Sequence, residues 1–144
     1  LDRVVLTQDG NLRTNGKWLF TEYDILSRPI TTGIYTPTNE TSRLVVQNSI
    51  ETAGVAMYET RNTSFNGYTE SNAFPTSNFE ILSVTYYDDY DFDGNGTPNH
   101  SMDGTHTTET PVDYIHGKLT GTRVKILPTT RGLHQIAFLK FRII

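Results

Sequence analysis

Short runs of β-forming residues, each closed by a turn signal, recur along this chain and set the main limit on its fold. Residues 3–8 (RVVLTQ) run into an Asp-Gly pair, and residues 17–23 (KWLFTEY) follow an Asn-Gly pair. Such pairs are strong hairpin signals because they accept the positive φ that tight hairpin turns require. Further runs of this kind cover residues 30–35, 55–60, 79–87, 118–127 and 133–144. The pattern predicts a mainly β fold built of antiparallel hairpins.

One stretch, residues 40–54, has a different period. Its apolar residues Val46, Ile50 and Ala53 recur at helical spacing, a Thr-Ser pair near its start supplies an N-cap, and Gly54 is a natural stop. This stretch is predicted to be the one short helix inserted in the β framework.

The 144 residues are expected to form a single segment, 1–144, of a longer chain, since the sequence begins with Leu1 and carries no secretory signal pattern. Residues 36–80 are interpreted as an insertion that holds the short helix and a loop. Residues 91–113 are interpreted as a long polar loop, because they are rich in Gly, Pro and polar side chains.

Composition removes several classes of function. The chain has no Cys, which excludes disulfides, thiolate metal sites and a cysteine nucleophile. A formal charge of -4 without a basic cluster argues against a nucleic-acid partner. The sequence contains no apolar run of the ~20 residues needed to span a membrane. The chain has fewer charged residues than usual, and Thr, Asn, Ser, Gly and aromatic residues take their place. This mixture is typical of β-sheet and turns.

A hairpin motif lies within WLFTEYDILSRPI, residues 18–30. Here Tyr23 ends a strand, Asp24 takes the first position of a type I turn, Ser27 takes the fourth, and Arg28 opens the returning strand. A second Tyr-Asp pair, Tyr87 and Asp88, lacks the following Gly-Arg and is expected to begin a longer excursion.

The first motif resembles Tyr-Asp-x-x-Gly-Arg, the signature of bacterial RHS/YD-repeat proteins of the large surface-exported type, with Ser27 at the usual Gly. The likeness covers most of the chain and keeps the order of the family's segments; it ends at Phe138-Leu139-Lys140-Phe141, where a further repeat would be expected. The segments that carry it are residues 2–7, Gly10, 12–13, 18–32, 58–61, 73–75, 81–92 and 119–127.

This resemblance implies a structural role. RHS/YD-repeat proteins wind many β-hairpins into a hollow shell, which in several members encloses a toxic C-terminal domain. The chain would then be a non-catalytic part of the wall, extracellular or at the bacterial cell surface. Its partners would be the flanking repeats of the same polypeptide and an enclosed C-terminal effector or toxin.

The stretch YYDDYDFDGNGTPNH, residues 86–100, also suggests calcium, since Asp89, Asp91 and Asp93 are spaced as in a DxDxDG loop. His100 stands where an EF-hand needs a bidentate Glu, so a full EF-hand is excluded. We expect no cofactor; a looser, weak calcium site is the alternative to a polar turn.

Other chemistry receives less support from the sequence. No nucleophile-elbow, Walker or His-Glu-x-x-His pattern occurs. Three sets of side chains keep alternatives open: a transition-metal site at His100, Asp103, His106 and Glu109; a carboxylate pair for glycoside hydrolysis drawn from Glu22, Asp24, Glu59 and Glu80; and a sugar-stacking platform of Trp18, Tyr23, Tyr35, Tyr58, Tyr86 and Tyr87.

The leading hypothesis is therefore the structural shell segment. The alternative is a secreted β-sandwich module that binds carbohydrate, with or without calcium, and a small hydrolase comes third.

Overall fold

A computed structural model describes residues 3–39, 42–97 and 115–125 of the chain. Within them the elements are, in order, β1 (Leu6–Thr7), α1 (Gly10–Thr14), β2 (Trp18–Tyr23), β3 (Pro29–Tyr35), α2 (Arg43–Thr52), β4 (Phe79–Tyr87) and β5 (Leu119–Val124).

The strands form one five-stranded antiparallel sheet in the order β1-β2-β3-β4-β5, which confirms the predicted mainly β fold. The pairing of β2 with β3 sets Glu22 opposite Thr31 and shifts register between Glu22 and Tyr23, just before the turn. Chain contacts divide the molecule into two compact units: unit 1 holds Leu1–Thr60 and Thr69–Val84, and unit 2 holds Arg61–Tyr68 and Thr85–Ile144.

The core of unit 1 lies on one face of β2 and β3. Trp18, Phe20 and Tyr35 are buried there together with Val46 of α2. Phe20 also meets Phe79 of β4 edge-to-face, with ring centroids 5.6 Å apart. Burial alternates along β2 with a period of two residues, as in a strand with one face toward the core. Trp18 and Phe20 therefore lie on the same buried face.

Helix α2 lies within the predicted stretch. Ser42 is its N-cap and accepts the N–H of Val45. Of the three apolar residues at helical spacing, Val46 is buried, Ile50 is half-buried and Ala53 is exposed. Gly54, two residues after the helix, has φ +62°, a conformation that favours glycine.

The connection between β1 and β2 is longer than the tight turn suggested by the Asp-Gly pair. Asp9 instead caps the five-residue helix α1, accepting the N–H of Leu12 at 2.7 Å. Asp is a strong N-cap, and the helix returns the chain to β2 through Gly16 at φ +63°. The described residues therefore contain two short helices, where the sequence predicted one.

The predicted strand at residues 55–60 is wrong. The backbone there is irregular, and its N–H groups bind two separate segments instead of one neighbouring strand: Glu59 donates to the carbonyl of Tyr23, and Ala56 to that of Asn72, both at 2.9 Å. The first strand is also shorter than residues 3–8. The predicted strand at residues 133–144, like the segment 98–113 of the predicted polar loop, lies outside the described residues.

The core of unit 2 is aromatic. Tyr86 is fully buried between Tyr68 and Phe92, with ring centroids 5.9 Å and 4.7 Å away. Gly121 of β5 faces the ring of Phe92 so closely that a Cβ atom would clash with it. The guanidinium of Arg61 stacks over Tyr68 at 4.8 Å from the ring centroid.

Candidate functional site

The motif at residues 23–28 forms the turn between β2 and β3. The N–H of Ser27 donates to the carbonyl of Asp24 at 2.9 Å, and the N–H of Asp24 donates to the carbonyl of Arg28 at 3.0 Å. The Asp24 carboxylate accepts the N–H of Arg28 at 2.9 Å and its guanidinium Nε at 2.7 Å. Asp24 is 7 % exposed, so these bonds satisfy a nearly buried charge.

Ser27 has φ +65° and therefore lies in the left-handed region that favours glycine. This conformation gives a physical reason for a Gly at the equivalent position of the motif. The hydroxyl of Ser27 accepts a bond from Arg3 at 3.3 Å.

Tyr23 anchors the chain that precedes β1. Its hydroxyl donates to the carbonyl of Val4 at 2.8 Å, and Arg3 stacks on its ring at 4.9 Å from the centroid. The motif thus organises a hairpin and the segment beside it.

The second Tyr-Asp pair ends β4. Tyr87 is the last residue of the strand, and Asp88 has φ +72°. The N–H of Asp88 donates to the carbonyl of Lys118 at 3.2 Å, and its carboxylate accepts the N–H of Gly117. Asp88 therefore contacts the chain entering β5, whereas Asp24 closes a four-residue turn.

The aspartates that follow bind loop N–H groups. Asp91 accepts the N–H of Asn95 at 3.0 Å and of Gly96 at 2.8 Å. Asp89 accepts Arg61 and the N–H of Asp91, both at 3.1 Å. Burial raises the pKa of Asp89 above its ordinary value, and the Arg61 guanidinium opposes that rise.

Asp93 accepts the Asn95 side-chain amide at 3.0 Å. Asp89, Asp91 and Asp93 are all half-buried. Among residues 3–39, 42–97 and 115–125, no three His, Asp or Glu side chains are grouped to hold a metal ion. The residues of the transition-metal alternative, His100, Asp103, His106 and Glu109, lie outside the described residues.

The aromatic residues do not form one exposed platform. Trp18, Tyr35 and Tyr86 are buried, and Tyr23, Tyr58 and Tyr87 are half-buried. Buried rings serve the cores of the two units.

Glu22 breaks the apolar pattern of β2. It follows Trp18 and Phe20 on the inward-facing alternate positions and is 2 % exposed. Its Oε1 has no hydrogen-bond partner within the described part of the chain. Burial, with a further contribution from the nearby carboxylate of Glu59, raises the pKa of Glu22 to about 9. The carboxyl is therefore neutral at pH 7.

Glu59 is 1 % exposed and lies in the irregular segment beside the end of β2. Its Oε1 accepts the N–H of Ala73 at 2.6 Å, and its Oε2 accepts the hydroxyl of Thr69. Burial raises the pKa of Glu59, and these hydrogen bonds oppose the rise. Both oxygens of Glu59 thus bind the protein itself.

Of the four acids considered from the sequence, the structure brings together Glu22 and Glu59. Asp24 is bound to Arg28 in the turn, and Glu80 is exposed on β4. Sequence reasoning included Glu22 among strand acids but did not single it out. The signal was its period-two spacing from Trp18 and Phe20, which assigns a carboxyl to the apolar face.

A cavity of about 270 Å³ in unit 1 lies against Glu22. Its walls include Arg3, Val5, Glu22, Ile50, Val55 and Phe74. An apolar pocket with a few polar groups is the usual form of a small-molecule site.

Comparison with protein-family models, curated proteins and solved structures finds no match to this chain. Within the described residues, no helix combines the length and apolar character that crossing a membrane requires.

Proposed function

We propose that this chain is a non-catalytic structural segment of an RHS/YD-repeat β-shell, in which flanking repeats of the same polypeptide continue its sheet. The shell would lie outside the bacterial cell or on its surface and enclose a C-terminal toxin or effector. The observation that carries the proposal is the hairpin at residues 23–28, in which each motif residue has a conformational task.

Each motif residue helps to hold the backbone of the hairpin. Asp24 closes the turn and binds Arg28, Ser27 adopts positive φ, and Tyr23 anchors the preceding chain. None of these groups needs a substrate to explain its position. The resemblance of the motif to the YD repeat is thus supported by a geometry that such a repeat needs.

The two outer strands of the sheet also support its role as a wall segment. Within the described residues, β1 and β5 are the outer strands, and β1 has only two residues. Val4 beside β1 is 61 % exposed, and Val124 in β5 is 46 % exposed. Outer strands with apolar neighbours favour pairing with further strands.

Electron microscopy of the polypeptide that carries this sequence tests the proposal. The expected result is a hollow particle whose wall contains residues 18–35 as a hairpin, with strands of neighbouring repeats on both sides of the sheet. A separate β domain joined by linkers, together with saturable binding in a carbohydrate panel, would instead support the binding module.

A further inference from the structure

The cavity of unit 1 contains an unsatisfied acid. Glu22 lines it, is 2 % exposed, and has an Oε1 without a hydrogen-bond partner among the described residues. A buried polar atom without a partner is destabilising, because it has lost its hydrogen bonds to water and gained none from the protein. A bound molecule that pairs with this oxygen would recover that free energy.

The charged groups around Glu22 indicate that the hydrogen-bond partner it lacks is a cation. Glu59 and Glu70 both act on it as negative charges, and the side chain of Thr31 on β3 is its hydrogen-bonding neighbour. Glu51 of α2 adds a further carboxylate to the cavity wall. Among the described residues, no cation contributes to the shift in the pKa of Glu22.

Arg3, the basic residue of the wall, is committed elsewhere. Its Nη1 donates to Ser27 at 3.3 Å, its Nη2 donates to the carbonyl of Met57 at 2.6 Å, and its guanidinium stacks on Tyr23. These contacts support the hairpin; the Nε of Arg3 has no hydrogen-bond partner among the described residues, and Arg3 does not contribute to the shift in the pKa of Glu22.

The remainder of the wall is largely apolar, with Val5, Ile50, Val55 and Phe74 among its residues. A volume of about 270 Å³ is just below the ~300–1,000 Å³ range of ligand pockets. The cavity therefore fits a small molecule with a short hydrocarbon part.

We propose that this cavity binds a small primary ammonium compound with an apolar tail, its nitrogen paired with the carboxylate of Glu22 and its tail against Ile50 and Phe74. The inference is independent of the shell role, since it rests on the cavity alone.

Binding of an ammonium ion to Glu22 should release a proton. At pH 7 an alkylammonium is charged, because its pKa resembles that of Lys, about 10.4. Glu22 is protonated, so forming the ion pair transfers its proton to the buffer. About one proton is released for each ammonium bound, and affinity should rise about tenfold per pH unit between pH 6 and 8.

The test is calorimetric titration of the 144-residue chain with n-pentylammonium chloride at pH 7, in buffers of different ionisation enthalpy. 1-Pentanol and sodium pentanoate are the neutral and anionic comparison ligands. We expect saturable binding of the ammonium alone, with release of about one proton.

Glu22→Gln is the decisive variant, because the amide resembles the neutral acid in shape but cannot form the ion pair. It should weaken pentylammonium binding at least about thirtyfold. Glu80→Gln, at an exposed glutamate of β4, is the matched control and should leave binding unchanged.

Three results would overturn the proposal: pentanol binding as tightly as the ammonium, binding without proton release, or no saturable binding up to ~10 mM. If Glu22→Gln does not fold, proton release by the unaltered chain decides the question alone.

Discussion

The carboxylate of Asp24 binds Arg28 at two points, accepting the backbone N–H at 2.9 Å and the guanidinium Nε at 2.7 Å. The Asp24 side chain is 9 % exposed and that of Arg28 is 23 % exposed. The pair is therefore mostly shielded from water, and removing one partner leaves a poorly solvated charge on the other.

Asp24→Ala should lower the free energy of unfolding by about 2–3 kcal/mol, since it removes both bonds. Asp24→Asn should cost about 1–2 kcal/mol, because the amide oxygen still accepts the N–H of Arg28 while the ion pair is lost. Urea denaturation of the two variants measures both values. Losses below ~0.5 kcal/mol in both would show that the turn does not depend on Asp24.

Local pattern was sufficient to predict most of the sheet. Residues 18–23, 30–35 and 79–87 alternate or run apolar between turn signals, and each lies in a strand. The ends of α2 followed from a cap and a glycine. These features depend on neighbours in sequence, which a single chain displays directly.

Features that depend on distant contacts were not predicted. Residues 55–60 resemble a strand, but Glu59 is held by Ala73 and Thr69 in an irregular segment. The spacing of Glu22 from Trp18 and Phe20 assigns it to the buried face, but its neighbours in sequence do not reveal Glu59, Thr31 of β3 or the cavity beside it. The motif predicted the turn at Asp24, whereas the pairing of Asp24 with Arg28 and the depth of its burial required the structure.

Glu22 should make the protein less stable as pH rises. Its pKa is about 9 in the folded state and near 4.5 when unfolded, so between these values the folded state binds more protons. The free energy of unfolding contributed by this group is therefore greatest below pH 4.5 and falls, by on the order of 1.4 kcal/mol per pH unit, until pH 9.

Glu22→Gln tests this directly, because it removes the titrating group and keeps its shape. Compared by urea denaturation at pH 5, 7 and 8.5, the variant should gain stability over the unaltered chain as pH rises. A difference that is constant across the three pH values would contradict a buried neutral carboxyl. Glu80→Gln supplies the exposed control.

Gly33 allows β3 and β4 to pack over Phe20. A Cβ atom at Gly33 would clash with the carbonyl oxygen of Glu80 and with the Phe20 ring. Gly33→Ala should therefore destabilise the fold by at least about 1–3 kcal/mol. Gly10→Ala is the matched control, since nothing lies within 4 Å of its added methyl group. Thermal melts compare the two, and equal melting temperatures would contradict the packing of this face.

Calcium should not stabilise the Asp-rich loop. The oxygens of Asp91 already accept the N–H groups of Asn95 and Gly96, so a cation would compete with these bonds. Melting temperatures in EDTA and in ~5 mM calcium should agree, this level being above the range of weak calcium modules. A rise of several degrees that disappears in Asp91→Ala would establish a calcium site.

If this sheet is one part of a continuous β wall, as proposed, the isolated chain should self-associate through its outer strands. Val4→Lys and Val124→Lys place a charge beside β1 and on β5, and should weaken association, as edge lysines do in natural sheets. Leu44→Lys, at a residue of α2 that is 68 % exposed, controls for the loss of an exposed apolar side chain away from the edges.

Sedimentation velocity of the isolated 144-residue chain over a hundredfold range of concentration is the most direct measurement. For a wall segment we expect a sedimentation coefficient that rises with concentration, and a smaller rise in the two edge variants than in Leu44→Lys. A monomer at every concentration, unaffected by the edge variants and melting cooperatively, would contradict the shell and support an independent module.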